Sequence, residues 1–139
     1  MTLYYLATPY TNYPGGVDAA ARDAARVASI LAWRGWHILS PITHSHTFEI
    51  PGISPRDPDF WIRYNLPFME KCDALIVAKM RGWQKSKGVA HEIGYFGRAG
   101  KPVLSVTVVY EGTRIWRSTT ISALGELTEE HPCASTNEF

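Results

Sequence analysis

Apolar and polar positions along this chain fall into runs of two periods. Leu3 to Ala7 is a short apolar run closed by Thr8-Pro9, which predicts a buried first strand. Tyr10 to Gly16 is rich in Asn, Pro and Gly and predicts a loop. From Val17 the period lengthens: Ala21, Ala24, Ala28 and Leu31 fall at helical spacing, with Arg22, Asp23 and Arg26 on other faces. Gly35 ends that helix, and Trp36-His37-Ile38-Leu39 predicts a second strand stopped by Pro41. Pro41 to Pro58 holds four prolines and two histidines, and loops of such length are usually functional or mobile. A helix is expected over part of Asp59 to Lys71, interrupted or restarted near Pro67. A third strand is expected from about Ala74 to Ala78, then a helix after Ser86. Val103 to Val109 is the most β-prone run in the chain. Ser118 to Leu127 carries a weak helical signal before a polar end.

Strands alternating with helices predict an α/β fold with a doubly wound parallel sheet, its apolar strands covered on both faces in three layers. Ligands of such sheets bind beyond the carboxyl ends of the strands, at the switch point. The loops at 8–16, 40–58 and 79–88 leave those ends, which gathers Tyr10, His44, Trp83, Ser86 and Glu92 around one expected cleft. The richest local signal is Ser86-Lys87-Gly88-Val89-Ala90-His91-Glu92-Ile93-Gly94. Ser86 is a good N-cap, the free N–H groups behind it make an anion site, and Glu92 follows one turn past Gly88.

With 139 residues the chain is read as one domain, long enough to bury a core without staples. A formal charge of +1 gives no basic stripe for a nucleic acid polymer. Cys72 and Cys133 lie too far apart to form a metal spacing, so free thiols in a reducing compartment are expected. No secretion signal or membrane span is read from the sequence, and a cytoplasmic location is expected. No Ser/His/Asp elbow, Walker loop or dinucleotide glycine fingerprint is present, and no cofactor is expected.

Four segments together resemble the nucleoside 2-deoxyribosyltransferase superfamily. They are Tyr5-Leu6-Ala7-Thr8-Pro9-Tyr10, Cys72-Asp73-Ala74-Leu75, Ser86-x-Gly88-x-x-x-Glu92-Ile93-Gly94 and Gly100-Lys101-Pro102-Val103. The resemblance covers roughly residues 3–109, leaving 110–139 as a C-terminal extension. It implies a flavodoxin-like (Rossmann-like) fold, a homo-oligomer of at least two chains, and cleavage of an N-glycosidic bond. The nucleophile it implies is Glu92, attacking the anomeric carbon of a nucleoside or nucleoside 5′-monophosphate. Ser86-x-Gly88 looks more like the monophosphate hydrolases than the transferases. One position departs from the family: where an aspartate commonly serves proton transfer, this chain has Asn65. An amide can hold a hydroxyl but cannot shuttle a proton at neutral pH.

Each candidate also has a plainer role. Glu92 borders the stripe Val89, Ile93, Phe96 and could be a solvated helix residue. Ser86 could serve as a cap alone, or touch phosphate as well. Asn65 could cap a helix restarting at Leu66-Pro67, or contact substrate. Gly88 suits close backbone approach to a ligand, whereas Gly94 and Gly97 suggest tight packing against a sheet or another subunit. Thr8, Pro9 and Tyr10 follow the first strand, so Tyr10 is placed beside the ligand, while Tyr4 and Tyr5 are assigned to the core. Trp83 and Trp61 could stack on a base or act as packing lids, and Trp83 is preferred as the substrate contact. His44 and His46 lack a firm third ligand for a metal, and polar contacts from His44 to sugar or phosphate are preferred. The proton donor to the leaving base stays open among His91, Tyr10 and bound water.

Overall fold

The structure, a computed structural model, describes residues 1–124. Its elements run β1 (Leu3–Ala7), α1 (Val17–Trp33), β2 (His37–Leu39), α2 (Pro41–Ser45), α3 (Pro58–Lys71), β3 (Ala74–Lys79), a 3-10 turn (Trp83–Lys85), α4 (Lys87–Arg98), β4 (Val103–Glu111) and β5 (Arg114–Ala123). The strands form one sheet in the order β2-β1-β3-β4-β5. β1 to β4 are parallel, with Tyr5 opposite Leu75 and Leu75 opposite Val103. This is the flavodoxin-like order with its switch point between β1 and β3, so the Rossmann-like expectation holds.

The side-chain period of two along each strand builds a core on either face of the sheet. Leu6, Ile76, Ala78 and Val106 pack with Ala20, Val27 and Leu31 of α1. Tyr5, Ala7, Leu75 and Val77 point the other way, onto Met69 of α3 and Val89 and Phe96 of α4. Helix α1 forms because Ala20, Ala24, Val27 and Leu31 make a continuous apolar stripe that the sheet covers. No side chain caps its start. Gly15 and Gly16 turn the chain into it with φ of +93° and +92°, and a Cβ on Gly15 would meet Ala19 Cβ at 3.0 Å.

Three sequence expectations change. The helical signal at 118–127 is a strand through Ala123: β5 pairs antiparallel with β4, Val106 opposite Ile121 and Val108 opposite Ser118. Residues 125–127 lie outside the described residues. The sheet is therefore mixed, and it extends beyond residue 109. Second, α3 runs unbroken through Pro67, so Asn65 sits in the helix body and not at a restarted N-cap. Asp57 is the cap, accepting from Asp59 N at 3.1 Å and Phe60 N at 3.3 Å. Pro67 removes the hydrogen bond to the Arg63 carbonyl, but both residues are exposed, and water can take that carbonyl. Third, Gly94 and Gly97 do not pack tightly against the sheet. Among the described residues, a Cβ on Gly97 would meet nothing within 4 Å, and one on Gly94 would meet only the flexible end of Arg98. Among the described residues, no helix is long and apolar enough to cross a membrane.

One ammonium fixes the end of α3. Lys101 Nζ donates to the carbonyls of Met69 at 3.2 Å, Glu70 at 2.8 Å and Cys72 at 2.8 Å. A cation over the last turn satisfies orphan carbonyls and complements the helix dipole. Gly100, with φ +68°, brings Lys101 around to them. Lys101→Met keeps the aliphatic stem and removes the charge, and is expected to cost about 1.5–3 kcal/mol in urea unfolding with an unchanged m-value.

Candidate active site

A cavity of about 550 Å³ opens beyond the carboxyl ends of β1 and β3. That lies within the range of small-molecule sites, roughly 300–1,000 Å³. The β1–α1 loop contributes Thr8, Pro9 and Tyr10; Ser45 and His46 come from the end of α2. Arg56, Asp57, Trp61 and Asn65 come from α3 and the turn before it, and Arg81, Ser86, Gly88, His91 and Glu92 complete the wall.

Glu92 lies in the second turn of α4, on the side that faces the sheet. Ser86 caps that helix, its Oγ accepting from Val89 N at 3.3 Å. Tyr5 reaches up from β1, and its hydroxyl donates to Glu92 Oε1 at 3.1 Å. Burial pushes the Glu92 carboxyl up to about 8, while the Tyr5 hydrogen bond, which favours the ionised form, pulls it down. Burial first, and then the charge of Glu92, raise the Tyr5 phenol above its ordinary value. Tyr5 therefore serves as a fixed donor. Thr8 is buried, and its Oγ1 has no hydrogen-bond partner among the described residues.

A second network borders the cavity. Tyr10 Oη lies 2.8 Å from His46 Nδ1, and His46 Nε2 lies 2.9 Å from Asp18 Oδ1 in the first turn of α1. Ser45 Oγ donates to the Pro41 carbonyl at 2.8 Å, bracing the turn that carries His46. A third network positions Arg81. Its backbone N–H donates to Tyr110 Oη at 2.9 Å, and its guanidinium lies 4.1 Å from the centre of the Tyr110 ring. Tyr110 meets Tyr13 at 3.0 Å, and Tyr13 donates to the buried Asp23 at 2.6 Å.

Of the residues singled out in the sequence, Thr8, Pro9, Tyr10, Asn65, Ser86, Gly88 and Glu92 all border this cavity. His44 and Trp83 do not. His44 stacks on Tyr64, with Nε2 at 3.2 Å from its hydroxyl, and meets Phe48 and Phe68 edge-on. Trp83 packs on the core face shared with Tyr5 and Phe96. The tryptophan at the cavity is Trp61, whose indole donates to the Ser54 carbonyl at 3.1 Å. The two histidines diverge, and no group of three or more metal-ligating side chains converges among the described residues. Tyr5 is core, as a tyrosine in an apolar run reads, and it reaches the site as well. Its signal was the hydroxyl itself, which must find a partner once buried.

The Glu92 shift carries a sign that can be measured. Between the ordinary value of 4.5 and about 8, the folded protein holds a proton that the unfolded chain releases. Stability therefore falls as pH rises through that window, by at most roughly 1.4 kcal/mol per unit, and levels off above it. Urea unfolding across this range is expected to show that decline in the natural protein, and a much flatter profile in Glu92→Gln.

Comparison with known proteins places the fold. A solved 2-deoxyribosyltransferase from the psychrotolerant bacterium Bacillus psychrosaccharolyticus superposes with a TM-score of 0.57 at 21% identity, over 76% of this chain and 72% of that one. A conserved protein from Enterococcus faecalis V583 superposes with a TM-score of 0.52 at 19% identity, over 76% of this chain and 62% of that one. Identities this low establish a common fold alone. No curated protein matches the sequence. The model of a family described as a domain of unknown function, DUF1937, matches residues 2–108, from just before β1 into β4. The chain belongs to that family.

Proposed function

We propose that this protein cleaves the N-glycosidic bond of a nucleoside 5′-monophosphate or nucleoside, with Glu92 as nucleophile. The observation that carries the reading is the Glu92 carboxyl, held by Tyr5 in a cavity beside the start of α4. Carboxylates at glycosidic centres form glycosyl esters because a carboxylate is a competent nucleophile toward an oxocarbenium-like carbon. Ionised Glu92 attacks C1′ and the C1′–N bond breaks, its electron pair leaving with the base. Water then attacks C1′ from the face the base vacated, and the pair of the ester bond returns to Glu92. Two displacements give net retention. A second base in place of water would make the reaction a transfer.

A phosphate on the substrate is supported by the cations around the cavity. Arg56, Arg81, Lys85 and Lys87 border it, and all are exposed. The first-turn N–H groups of α4 supply an anion site behind Ser86. Gly88 is exposed at the same turn, and a Cβ there would meet only Ser86 Oγ, at 3.9 Å. Nothing among the described residues requires glycine at that place, whereas backbone approach by a ligand would. The superfamily resemblance supports a homo-oligomer of at least two chains as the working form.

Asn65 favours one other reading. A cavity that holds an amide where the resembled family has an acid could bind nucleotides without cleaving them. Chromatographic detection of free base from a panel of nucleoside monophosphates, with binding measured on the same panel, separates the two. Base release is expected in the natural protein and abolished in Glu92→Gln, with binding retained. Binding without release, together with a gain of release in Asn65→Asp, would establish the binding module instead.

Two further outcomes follow from the site. kcat/KM is expected to rise with pH up to about 8, where Glu92 ionises, and removing the Tyr5 hydroxyl in Tyr5→Phe should shift that rise to higher pH. Ser86→Ala should raise KM for monophosphates more than for the matching nucleosides. Equal effects on both would reduce Ser86 to a helix cap.

A further inference from the structure

We infer that Tyr10, His46 and Asp18 form a proton relay that protonates the departing base and then deprotonates the incoming water, a task Asn65 cannot perform. The inference rests on the proposed glycosidic cleavage and supplies the proton donor that cleavage needs.

The geometry is that of a relay with direction. Tyr10 and His46 border the cavity, and Asp18 lies outside it. Asp18 can only accept at neutral pH, so the 2.9 Å contact assigns a hydrogen to His46 Nε2. Nδ1 then faces the Tyr10 hydroxyl at 2.8 Å, accepting from it when the ring is neutral and donating to it when the ring is charged. The two rings meet edge-on, 5.8 Å apart at 79°. Both ring nitrogens are thus engaged, and the tautomer is set.

Exposure is graded along the chain of contacts. The His46 side chain is 20% exposed and that of Asp18 95%, so the outer end of the relay opens to bulk water, which can recharge it. The charged groups around Tyr10 are Asp18 from α1 and Arg56 from the turn before α3. Burial and Asp18 raise the phenol's pKa and Arg56 lowers it. The phenol therefore stays protonated at rest, as a donor must. Glu92 and His91 of α4 border the same cavity.

The protons balance over a full turnover. In the first step a C1′–O bond forms to Glu92 and the C1′–N bond breaks. The base nitrogen takes the Tyr10 proton as Tyr10 takes one from the His46 imidazolium, leaving a neutral ring. In the second step a bond forms from water oxygen to C1′ and the Glu92 ester bond breaks. The water proton passes to Tyr10, and the Tyr10 proton returns to His46 Nδ1. One group serves as acid and then as base on one face of the sugar, as retention requires.

The test compares two leaving groups on the same sugar phosphate, a nucleobase and 4-nitrophenolate, which departs without a proton. Tyr10→Phe and His46→Gln are expected to lower kcat/KM for the nucleobase by about 10²–10⁴-fold, and for nitrophenolate by less than about tenfold. Asp18→Ala removes the acceptor that holds the ring, and is expected to lower kcat/KM for the nucleobase more than for nitrophenolate. Because Asp18 is exposed, that variant carries the test should Tyr10→Phe fail to fold. Nitrogen-15 NMR of His46 gives a readout free of activity: hydrogen held on Nε2 in the natural protein, and a mixture of tautomers in Asp18→Ala. Equal losses with both leaving groups, or a His46 tautomer unchanged in Asp18→Ala, would overturn the relay while leaving the cleavage reading in place. A natural protein that releases neither leaving group overturns both.

Discussion

Tyr5 has no exposed surface, so its hydroxyl must find a partner inside the protein, and that partner is Glu92. Much of the molecule follows from this contact. It requires β1 to lie in the middle of the sheet, where Tyr5 is covered by Phe96 and Met69 on one face while Leu6 serves the other. It requires α4 to cross β1 with its second turn over the strand. A carboxyl in that place is costly to ionise and cheap to keep protonated. The Tyr5 hydrogen bond opposes that preference without reversing it, so the group changes charge near neutrality and not far below it.

The central strands were legible in the sequence because parallel strands buried on both faces read as unbroken apolar runs. Leu3–Ala7 and Ala74–Lys79 match their expected bounds to within a residue. β5 was not, for a physical reason. It is an edge strand, so Trp116 and Arg117 face water and the sequence Arg114 to Ala123 mixes polar and apolar residues without strict alternation. Its pairing with β4 shifts register twice, which spoils the period further. The run Thr119-Thr120-Ile121 is β-branched and was the available cue. Pro67 misled in the opposite sense: a helix anchored at Asp57 and clamped at its far end by Lys101 tolerates a proline that an isolated helix would not.

The placing of Ser86, Gly88 and Glu92 beside the cavity was legible because all three lie at the start of one helix that follows a buried strand. The histidines were not. Residues two apart at the end of a helix point about 200° from one another. His44 therefore enters the aromatic group of Phe48, Tyr64 and Phe68 while His46 turns to the cavity. Trp61 and not Trp83 borders the cavity for a similar reason. Trp83 sits on a short turn pressed against the core, and Trp61 stands on the exposed flank of α3. Only the packing of α2 and α3 decides such questions, and no short stretch of sequence encodes it.

The distribution of charge around the cavity has a kinetic consequence. The whole chain carries a formal charge of only +1, yet Arg56, Arg81, Lys85 and Lys87 border one opening. Of the two acids there, Asp57 is engaged at the start of α3 and Glu92 sits against Tyr5. An approaching anion therefore meets a local positive field on a molecule that attracts it little from elsewhere. Such a field acts on encounter more than on residence, and it decays over the ~8 Å Debye length of physiological salt. For the monophosphate cleavage proposed above, capture of the dianion would slow as salt is added, while bond breaking, shielded inside the cavity, would keep its pace. The balance between reaching the site and reacting in it would thus shift with ionic strength, though no residue of the chemistry had changed.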